Sequence, residues 1–330
     1  MGIQRNRAVV GLELDSGVIR AVEIRRNRQN AGIAVAAGEL EIPFASVSCG
    51  VVRETGAVGR ALQELWRKAG FTSKRVVLGT FSRNVLLRIV FFPRVPEDKL
   101  GQALSLQADR YLPLPLEEMA MDYFILGEEE DAGGPVYEVL LAAARKQELK
   151  KNLDLLAKCG LSPLAVEAEP LALLRLLSEG KREGTVVMAD LAMEESSIIV
   201  AVNGKPRFAR ALPLHLRQYL GDAVPAGQEA PPESSLNGYL GAAAGQIRIS
   251  LDYYREQGGF GKVDRVILCG RGAVIPGLTD MLEEVLEVPC ETACSLETVA
   301  CSDELQAILG RPEFAVSCGL ALRLLEDGKW

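Results

Sequence analysis

The chain opens with a pattern of apolar runs and turn residues that predicts a β-hairpin. Residues Ala8–Leu14 are apolar except at Gly11 and Glu13, and Val18–Ile24 form a second β-rich run. Between them, Asp15-Ser16-Gly17 supplies turn chemistry, because Asp and Ser bond to nearby backbone and Gly tolerates positive φ. The pattern predicts a strand, a tight turn and a second strand, followed by a third strand after a polar interval.

The same order of strand, acid, turn and strand returns in the middle of the chain. Thr185–Asp190 and Ser196–Val202 flank the short segment LAMEE, and Asn203-Gly204 then predicts a return strand over Pro206–Leu212. An acid at the end of a buried strand, followed by small turn residues, can place a carboxylate and N–H groups beside a phosphate and its metal ion. Two copies therefore predict two lobes around a phosphate-clamping cleft, with a pair of ordinary hairpins as the structural alternative.

Residues 84–165 differ in pattern from the rest of the chain. Apolar runs predict a strand at Val85–Phe92, a helix from Pro96 to Tyr111, two strands around the acidic loop GEEEDAGG, and a helix at Gln147–Lys158. This order could form a small subdomain inserted into the first lobe, and its exposed strand edges would suit a peptide. A purely structural insertion explains the pattern about as well.

The other segments alternate buried strands with amphipathic helices, which predicts an α/β protein. The Pro-, Gly- and Glu-rich segment Gly221–Ser235 predicts a linker before a long helix at Leu236–Glu256. Strand Val263–Leu268 then leads into Gly270 and Gly272. Glycines between a strand and a helix let a ligand approach the backbone closely, although a plain turn explains them nearly as well.

Length and charge exclude several classes of protein. A chain of 330 residues suggests two domains, and its net charge of −7 with a pI near 5.1 argues against binding nucleic acid. No apolar run is long enough for a membrane span, and the N-terminus lacks a signal peptide. These features predict a cytoplasmic protein.

The cysteines and the single histidine limit the possible chemistry further. Seven scattered cysteines without a C-x-x-C pair indicate a reducing compartment. Three of them, Cys290, Cys294 and Cys301, are close in sequence, but no histidine accompanies them, which argues against a metal site. The one histidine, His215, lies between leucines and predicts no catalytic triad.

Several motifs now identify a family resemblance. GLELDSGVIRAVEI resembles the phosphate hairpin GLDIGSSSIKAVEL of actin-like proteins, and VDRVILCGRGAVIPGL resembles their glycine-rich turn VDRIVLAGGGALLPGL. QADRYLPLPLEEMAMDY and VEAEPLALLRLL are more specific, and with them the chain resembles the PilM family of type IV pilus assembly proteins, within the actin-like ATPase superfamily and related to FtsA. The resemblance covers nearly the whole chain.

The resemblance implies a fold and its division along the chain. The expected fold is α/β, a duplicated ribonuclease-H-like (actin-like) two-lobe fold with an inserted α+β subdomain. The first lobe is expected to comprise residues 1–83, 166–184 and the C-terminal helix at 312–330. The inserted, FtsA-like subdomain would be 84–165, and the second lobe 185–311.

The resemblance also implies partners. PilM proteins bind the cytoplasmic N-terminal tail of PilN and lie beneath the inner-membrane PilN/PilO complex, near the assembly ATPase, with a homo-oligomeric ring as a possible arrangement. The chain is thus expected to be cytoplasmic and peripheral to the inner membrane through its partners. Tyr111, Leu112 and Leu114 are the candidate residues near the peptide groove.

Carried over to this chain, the family's nucleotide site falls on identifiable residues. The resemblance implies that Glu13 and Asp190 hold Mg²⁺ and that Glu169 and Asp190 are catalytic. ATP contacts are expected from six positions: Glu13, Asp15, Ser16, Gly17, Gly270 and Gly272.

Several family positions are altered in ways that weaken binding of ATP and Mg²⁺. Glu13 replaces an Asp, Asp15 and Ala192 replace glycines, and Arg271 replaces a glycine of the later turn. Glu194 and Glu195 stand where small or hydroxyl residues are usual, and each carboxylate close to a triphosphate costs about 1 kcal/mol or more.

Three functions follow, in order of preference. The first is a pilus assembly scaffold that binds a PilN-like tail, with ATP as an optional ligand and with little or no turnover. The second is an active Mg-ATP hydrolase that uses the retained acids. The third is the cytoplasmic domain of a GspL-like type II secretion protein, which is disfavoured because such proteins continue into a transmembrane helix and none is predicted before Trp330.

Overall fold

The computed structural model describes residues 8–27, 31–80, 85–131, 133–221, 232–256 and 261–325, and contains two five-stranded sheets and one three-stranded sheet. Strands and helices are numbered in chain order. The first sheet has the order β10-β6-β1-β2-β3. Its strands are β1 (Ala8–Asp15), β2 (Val18–Arg26), β3 (Gly32–Glu41), β6 (Arg75–Thr80) and β10 (Ser162–Ala168).

Strand β1 lies at the centre of the first sheet. It pairs antiparallel with β2, with Asp15 opposite Val18, so the predicted turn is a two-residue loop of Ser16 and Gly17. It pairs parallel with β6, as expected for a buried α/β strand. Helix α1 (Thr55–Ala69) covers one face and ends at Gly70, whose φ of 70° suits a glycine C-cap.

The second sheet repeats this arrangement with the order β13-β12-β11-β14-β15. Its strands are β11 (Thr185–Asp190), β12 (Ser196–Val202), β13 (Lys205–Leu212), β14 (Arg265–Cys269) and β15 (Cys290–Thr292). Strand β11 pairs antiparallel with β12 and parallel with β14, as β1 does with β2 and β6. The two hairpins predicted as copies therefore occupy equivalent positions in two lobes, and the α/β two-lobe prediction is confirmed.

The third sheet has the order β7-β9-β8, with β7 (Leu86–Pro93), β8 (Met119–Asp131) and β9 (Gly134–Arg145). Helices α2 (Glu97–Leu106) and α3 (Lys146–Lys158) accompany it. The prediction of a helix to Tyr111 was wrong, because α2 ends at Leu106 and a 3-10 turn follows at Ala108–Arg110. The predicted acidic loop was also too long, since β8 runs on through its exposed acids to Asp131 at the sheet edge.

Smaller elements connect these sheets. The sequence pattern missed the two-residue strands β4 (Val47–Ser48) and β5 (Val51–Val52), the edge strand β15 and α6 (Leu216–Leu220). The remaining helices are α4 (Glu169–Leu173), α5 (Glu179–Arg182), α7 (Glu233–Glu256), α8 (Leu278–Leu286), α9 (Asp303–Leu309) and α10 (Ala315–Leu322). Most of the predicted linker before α7 lies outside the described residues.

Helices α4 and α10 lie at the centre of the molecule. Their buried side chains share one apolar core with residues of both large sheets, such as Val22 of β2 and Met188 of β11. Close approach depends on two glycines: a Cβ at Gly11 would meet the Ser317 carbonyl of α10, and one at Gly319 would meet the Ala172 carbonyl of α4. Within the described part of the chain, no helix is long and apolar enough to cross a membrane.

Candidate functional site

A cleft of about 350 Å³, partly open to solvent, lies where the turns after β1 and β11 face each other. Its lining brings together the acids predicted from the two hairpins and Glu169 at the start of α4. Six carboxylates line it: Glu13, Asp15, Glu169, Asp190, Glu194 and Glu195. Such a surface is strongly acidic, and it attracts cations rather than phosphates when its groups are ionised.

Arg20 of β2 neutralises the acids of the first hairpin. Its side chain is 1% exposed, and its Nη1 donates to Glu13 Oε1 at 3.0 Å and lies 3.8 Å from Asp15 Oδ2. Its Nε donates to Glu39 Oε2 at 3.2 Å. Arg20 was not among the residues predicted from the sequence, although it aligns with the lysine of GLDIGSSSIKAVEL, which was the available signal.

The charge network extends to the C-terminal part of the chain. Arg311 donates to Glu39 at 2.8 Å and to Glu313 at 2.9 Å. Two buried atoms of the network, Glu13 Oε2 and Arg20 Nη2, have no hydrogen-bond partner among the described residues. Most of the polar atoms of this network therefore have a hydrogen-bond partner, but these two do not. Its members are far apart in sequence.

Burial changes the proton affinity of the cleft acids. Desolvation raises the pKa of Glu13 to about 8, against the opposing effect of Arg20. Desolvation, followed by repulsion from Asp15, raises the pKa of Asp190 to about 7. The pKa of Glu169 is raised well above its ordinary value by burial and then by the charges of Glu13 and Asp190. Protonation of some of these acids near neutral pH therefore reduces the charge repulsion within the cluster.

The turn after β1 is already occupied by contacts within the protein. Ser16 N–H donates to Asp15 Oδ1 at 2.7 Å, and the Ser16 hydroxyl donates to the Val47 carbonyl at 3.1 Å. Gly17 has φ of 85°, and a Cβ there would lie 3.1 Å from the Phe44 ring. The donors predicted to face a phosphate therefore bind to their own chain, and Gly17 is explained by the turn and by Phe44.

The turn after β11 is longer and differently held. Ala192 N–H donates to the Ser196 hydroxyl at 3.2 Å, and Met193 is buried at 2% exposure. Glu194 reaches away from this turn, and its Oε2 accepts a hydrogen bond from Cys49 N–H at 3.1 Å. The side chain that replaced a small residue therefore spans the cleft.

Gly270 and Gly272 have packing reasons of their own. Gly270 has φ of 77°, and a Cβ there would collide with Asp190 Oδ1. A Cβ at Gly272 would collide with the Tyr239 hydroxyl and lie 2.6 Å from Leu191 Cβ. Neither glycine lines the cleft. The absence of a side chain at both positions is explained by the close packing of the β14 turn against the β11 turn.

The cleft residues do not fit a triphosphate with its metal ion. Six carboxylates face the space, and the buried Arg20 is engaged by Glu13 and Glu39. Ala192 lines the cleft with a Cβ where the related motif has glycine. Among the described residues, no three His, Cys, Asp or Glu side chains are placed to hold a metal ion. The assignment of Glu13 and Asp190 as metal ligands stays a prediction, and both residues line the cleft.

The candidate peptide-binding residues lie at one end of the third sheet. Leu112 is 8% exposed and packs into a small core with Met119, whereas Tyr111 and Leu114 are half-buried. Leu106, at the end of α2, was not among the candidates, yet its side chain is 81% exposed. Leu112 is therefore a core residue. The side chains of Leu106, Tyr111 and Leu114 keep apolar surface exposed to solvent.

Comparison with solved structures defines the class of protein. The fold matches a protein of Bacteroides thetaiotaomicron with an actin-like ATPase fold and unknown function, with a TM-score of 0.50, 12% identity, and coverage of 92% of this chain and 96% of that chain. It also matches the ethanolamine utilization protein EutJ of Carboxydothermus hydrogenoformans, with a TM-score of 0.50, 14% identity and coverage of 96% and 89%. The duplicated sheets and the cleft between them are thus an actin-like ATPase fold.

Two further comparisons give the family. The family model described as type IV pilus assembly protein PilM matches residues 11–218 and 229–325. A chain of the PilM–PilN type IV pilus biogenesis complex is 26% identical, with a TM-score of 0.82 over 96% of this chain and 98% of that chain. The chain belongs to the PilM family of type IV pilus assembly proteins, and the predicted resemblance is confirmed.

Proposed function

We propose that this protein is a cytoplasmic scaffold of type IV pilus assembly that binds the N-terminal tail of a PilN-like inner-membrane protein without turning over ATP. The observation that carries this proposal is the similarity, with a TM-score of 0.82 across 96% of the chain, to a chain of the PilM–PilN complex. Through that tail the protein would reach the inner membrane, beneath a PilN/PilO complex and near the assembly ATPase, with a ring of copies as one arrangement.

The end of the third sheet is the proposed peptide site. Leu106 is 81% exposed. Tyr111 and Leu114, which follow it within eight residues of the chain, are half-buried. Strand β8 forms an edge of that sheet, so its outer backbone groups can pair with an extended peptide. An apolar peptide strand with side chains directed at Leu106 and Tyr111 would use both features.

Charge also favours such a partner. The end of β8 opposite to Leu112 and Met119 is exposed and carries Glu128, Glu129, Glu130 and Asp131, and the whole chain has a net charge of −7. Cytoplasmic segments next to membrane helices are enriched in Lys and Arg. An acidic strand edge would therefore attract a basic tail and disfavour acidic competitors.

The chemistry of the cleft favours a scaffold over a hydrolase. Glu169 and Asp190, the proposed catalytic acids, lie among four other carboxylates, and burial raises the pKa of both. A hydrolase has to stabilise the negative charge of the transferring phosphoryl group, usually with Arg, Lys or Mg²⁺. The cleft offers acids in place of these groups.

A titration with a synthetic tail peptide tests the proposed partner. We expect the unmodified protein to bind the N-terminal tail of the PilN-like protein encoded with it. We expect Leu106→Asp and Tyr111→Ser to weaken binding by about tenfold or more, as for exposed apolar anchors. Ile249→Asp is a matched control, because Ile249 is 54% exposed on α7. Absence of binding to the unmodified protein, or an equal loss for Ile249→Asp, would contradict the proposed site.

Phosphate release tests the hydrolase alternative separately. We expect no Mg-ATP turnover above the buffer rate. A rate that is abolished in both Glu169→Gln and Asp190→Asn, while folding and peptide binding remain, would establish the hydrolase and overturn the scaffold without turnover.

A further inference from the structure

Among the described residues, the contacts that join the lobes near the cleft include a carboxylate–backbone hydrogen bond and a cation–π contact, beside an interaction of the Cys49 side chain with Glu195. Glu194 Oε2, from the second lobe, accepts a hydrogen bond from Cys49 N–H of the first lobe at 3.1 Å. Arg217 of α6, also in the second lobe, places its guanidinium carbon 3.7 Å from the ring centroid of Phe44 in the first lobe. A guanidinium over an aromatic face at this distance is an attractive contact.

The first-lobe side of these contacts is firmly supported. Cys49 and Gly50 form the turn between β4 and β5, with φ of 51° and 68°. Asn152 of α3 holds this turn from behind: its Oδ1 accepts from Val52 N–H at 2.9 Å, and its Nδ2 donates to the Gly50 carbonyl at 2.7 Å. The Cys49 N–H is therefore presented to the cleft by a fixed backbone.

The second-lobe side is fixed as well. Met193, next to Glu194, is buried in the core of the second lobe. Its carbonyl accepts from Arg217 N–H at 3.2 Å, and the Ala192 carbonyl accepts from Leu216 N–H at 3.4 Å. These hydrogen bonds join the β11 turn, which carries Glu194, to α6, which carries Arg217. Both contacts therefore connect the same part of the second lobe to the first lobe.

The geometry at Cys49 is that of an anion bound to backbone. A turn that presents backbone N–H groups can bind an anion such as phosphate, because each N–H donates a hydrogen bond to it. Here the anion is a carboxylate of the chain itself. A ligand bound between two lobes holds them together because it contacts both. Glu194 is a side chain of the protein itself, and it also bridges the two lobes.

We propose that Glu194–Cys49 and Arg217–Phe44, together called the clasp, hold the cleft closed without any nucleotide, with Glu194 acting as the positioning residue between the lobes. This inference goes beyond the scaffold function and does not depend on any partner. It assigns a role to the acidic residue that makes the β11 turn unsuitable for a triphosphate.

Hydrogen–deuterium exchange of the full chain tests the clasp. We expect peptides spanning 43–52 and 190–196 to be protected in nucleotide-free protein and unchanged by millimolar Mg-ATP. Glu194→Ala should raise exchange at Cys49 N–H by about tenfold or more, because that donor loses a charged acceptor. Glu194→Gln keeps a neutral acceptor and should give a smaller increase.

Two control variants make the result specific. Glu284→Ala removes an exposed acid of α8 and should leave exchange at both peptides unchanged. Cys49→Ser keeps the donating N–H and a side-chain donor toward Glu195, so its protection should remain. Thermal unfolding of each variant confirms that it is folded.

Two outcomes would overturn the clasp. One is unchanged exchange at Cys49 N–H in Glu194→Ala. The other is a peptide 43–52 that is unprotected in nucleotide-free protein and becomes protected only when Mg-ATP is added.

Discussion

The turns after β1 and β11 hold equivalent positions in the two lobes but satisfy their acids differently. After β1, Glu13 and Asp15 lie beside the buried Arg20, and a two-residue loop closes the hairpin. After β11, Asp190 is buried without an ion pair among the described contacts, and a five-residue segment carries Glu194 to the other lobe.

This difference shows which features the duplicated fold preserves. Both copies keep a central strand with an acid near its end, since that position follows from the sheet geometry. The surroundings of that acid have diverged: the first copy binds an internal cation, and the second places a carboxylate across the cleft. The retained acids alone therefore do not indicate nucleotide chemistry.

The largest expected effect concerns the cation of the first turn. Arg20→Met leaves Glu13 and Asp15 buried without a neighbouring guanidinium, and we expect a loss of about 3–5 kcal/mol in the free energy of unfolding. Urea unfolding measures this loss. Arg255→Met is the control, because Arg255 and its partner Asp252 are 48% and 53% exposed, and loss of this pair should change stability by less than about 1 kcal/mol. Similar losses in both variants would contradict the assigned role of Arg20.

The next effect concerns the packing of the second turn. Gly272→Ala forces a methyl group against Tyr239 and Leu191, and we expect a loss of about 2–3 kcal/mol in stability. Gly245→Ala in α7, where no atom lies within 4 Å of the added carbon, should instead stabilise by about 0.5–1 kcal/mol. If Gly272→Ala were as stable as the unmodified protein, the glycine would not be explained by packing.

The buried acid of the second turn should make stability depend on pH. The pKa of Asp190 is about 7 in the folded protein and 3.8 in the unfolded reference, so the folded state retains a proton that the unfolded state has lost. Its contribution to stability is therefore present at low pH and is lost as pH rises through 7. Asp190→Asn should flatten this decline, gaining about 2 kcal/mol relative to the unmodified protein between pH 5 and pH 8. Parallel pH profiles of the two proteins would contradict the raised pKa.

The smallest expected effect concerns the aromatic contact between the lobes. A double-mutant cycle of Phe44→Leu and Arg217→Ala should give a coupling free energy of about 0.5–1 kcal/mol. If the effects of the two substitutions on the free energy of unfolding were additive, the Phe44–Arg217 contact would contribute nothing to the clasp. The Glu194–Cys49 hydrogen bond would then be its only part.

Apart from the three-residue edge strand β15, the strands of the two large sheets could be predicted because their apolar runs are long and are bounded by turn residues. Strands β4 and β5 could not be, since two residues each give no periodicity. The acidic end of β8 resembles a loop in composition because its charges point to solvent at a sheet edge.

The candidate site was predicted in part. Its acids were recognisable because they end apolar strands. Arg20 was missed although its own hairpin contained the signal, and the links to Glu39 and Arg311 depend on tertiary contacts that sequence spacing does not reveal. The same holds for Glu194, whose partner Cys49 lies 145 positions earlier.

A peptide titration with and without nucleotide tests the central claim most directly, namely that this protein is a scaffold that does not require ATP. Nucleotide-free protein should bind the tail of its PilN-like partner, and millimolar Mg-ATP should change the Kd by less than about twofold, because a coupling free energy near zero gives no change in affinity. Binding that appears only when Mg-ATP is present, or that tightens about tenfold with it, would contradict the account.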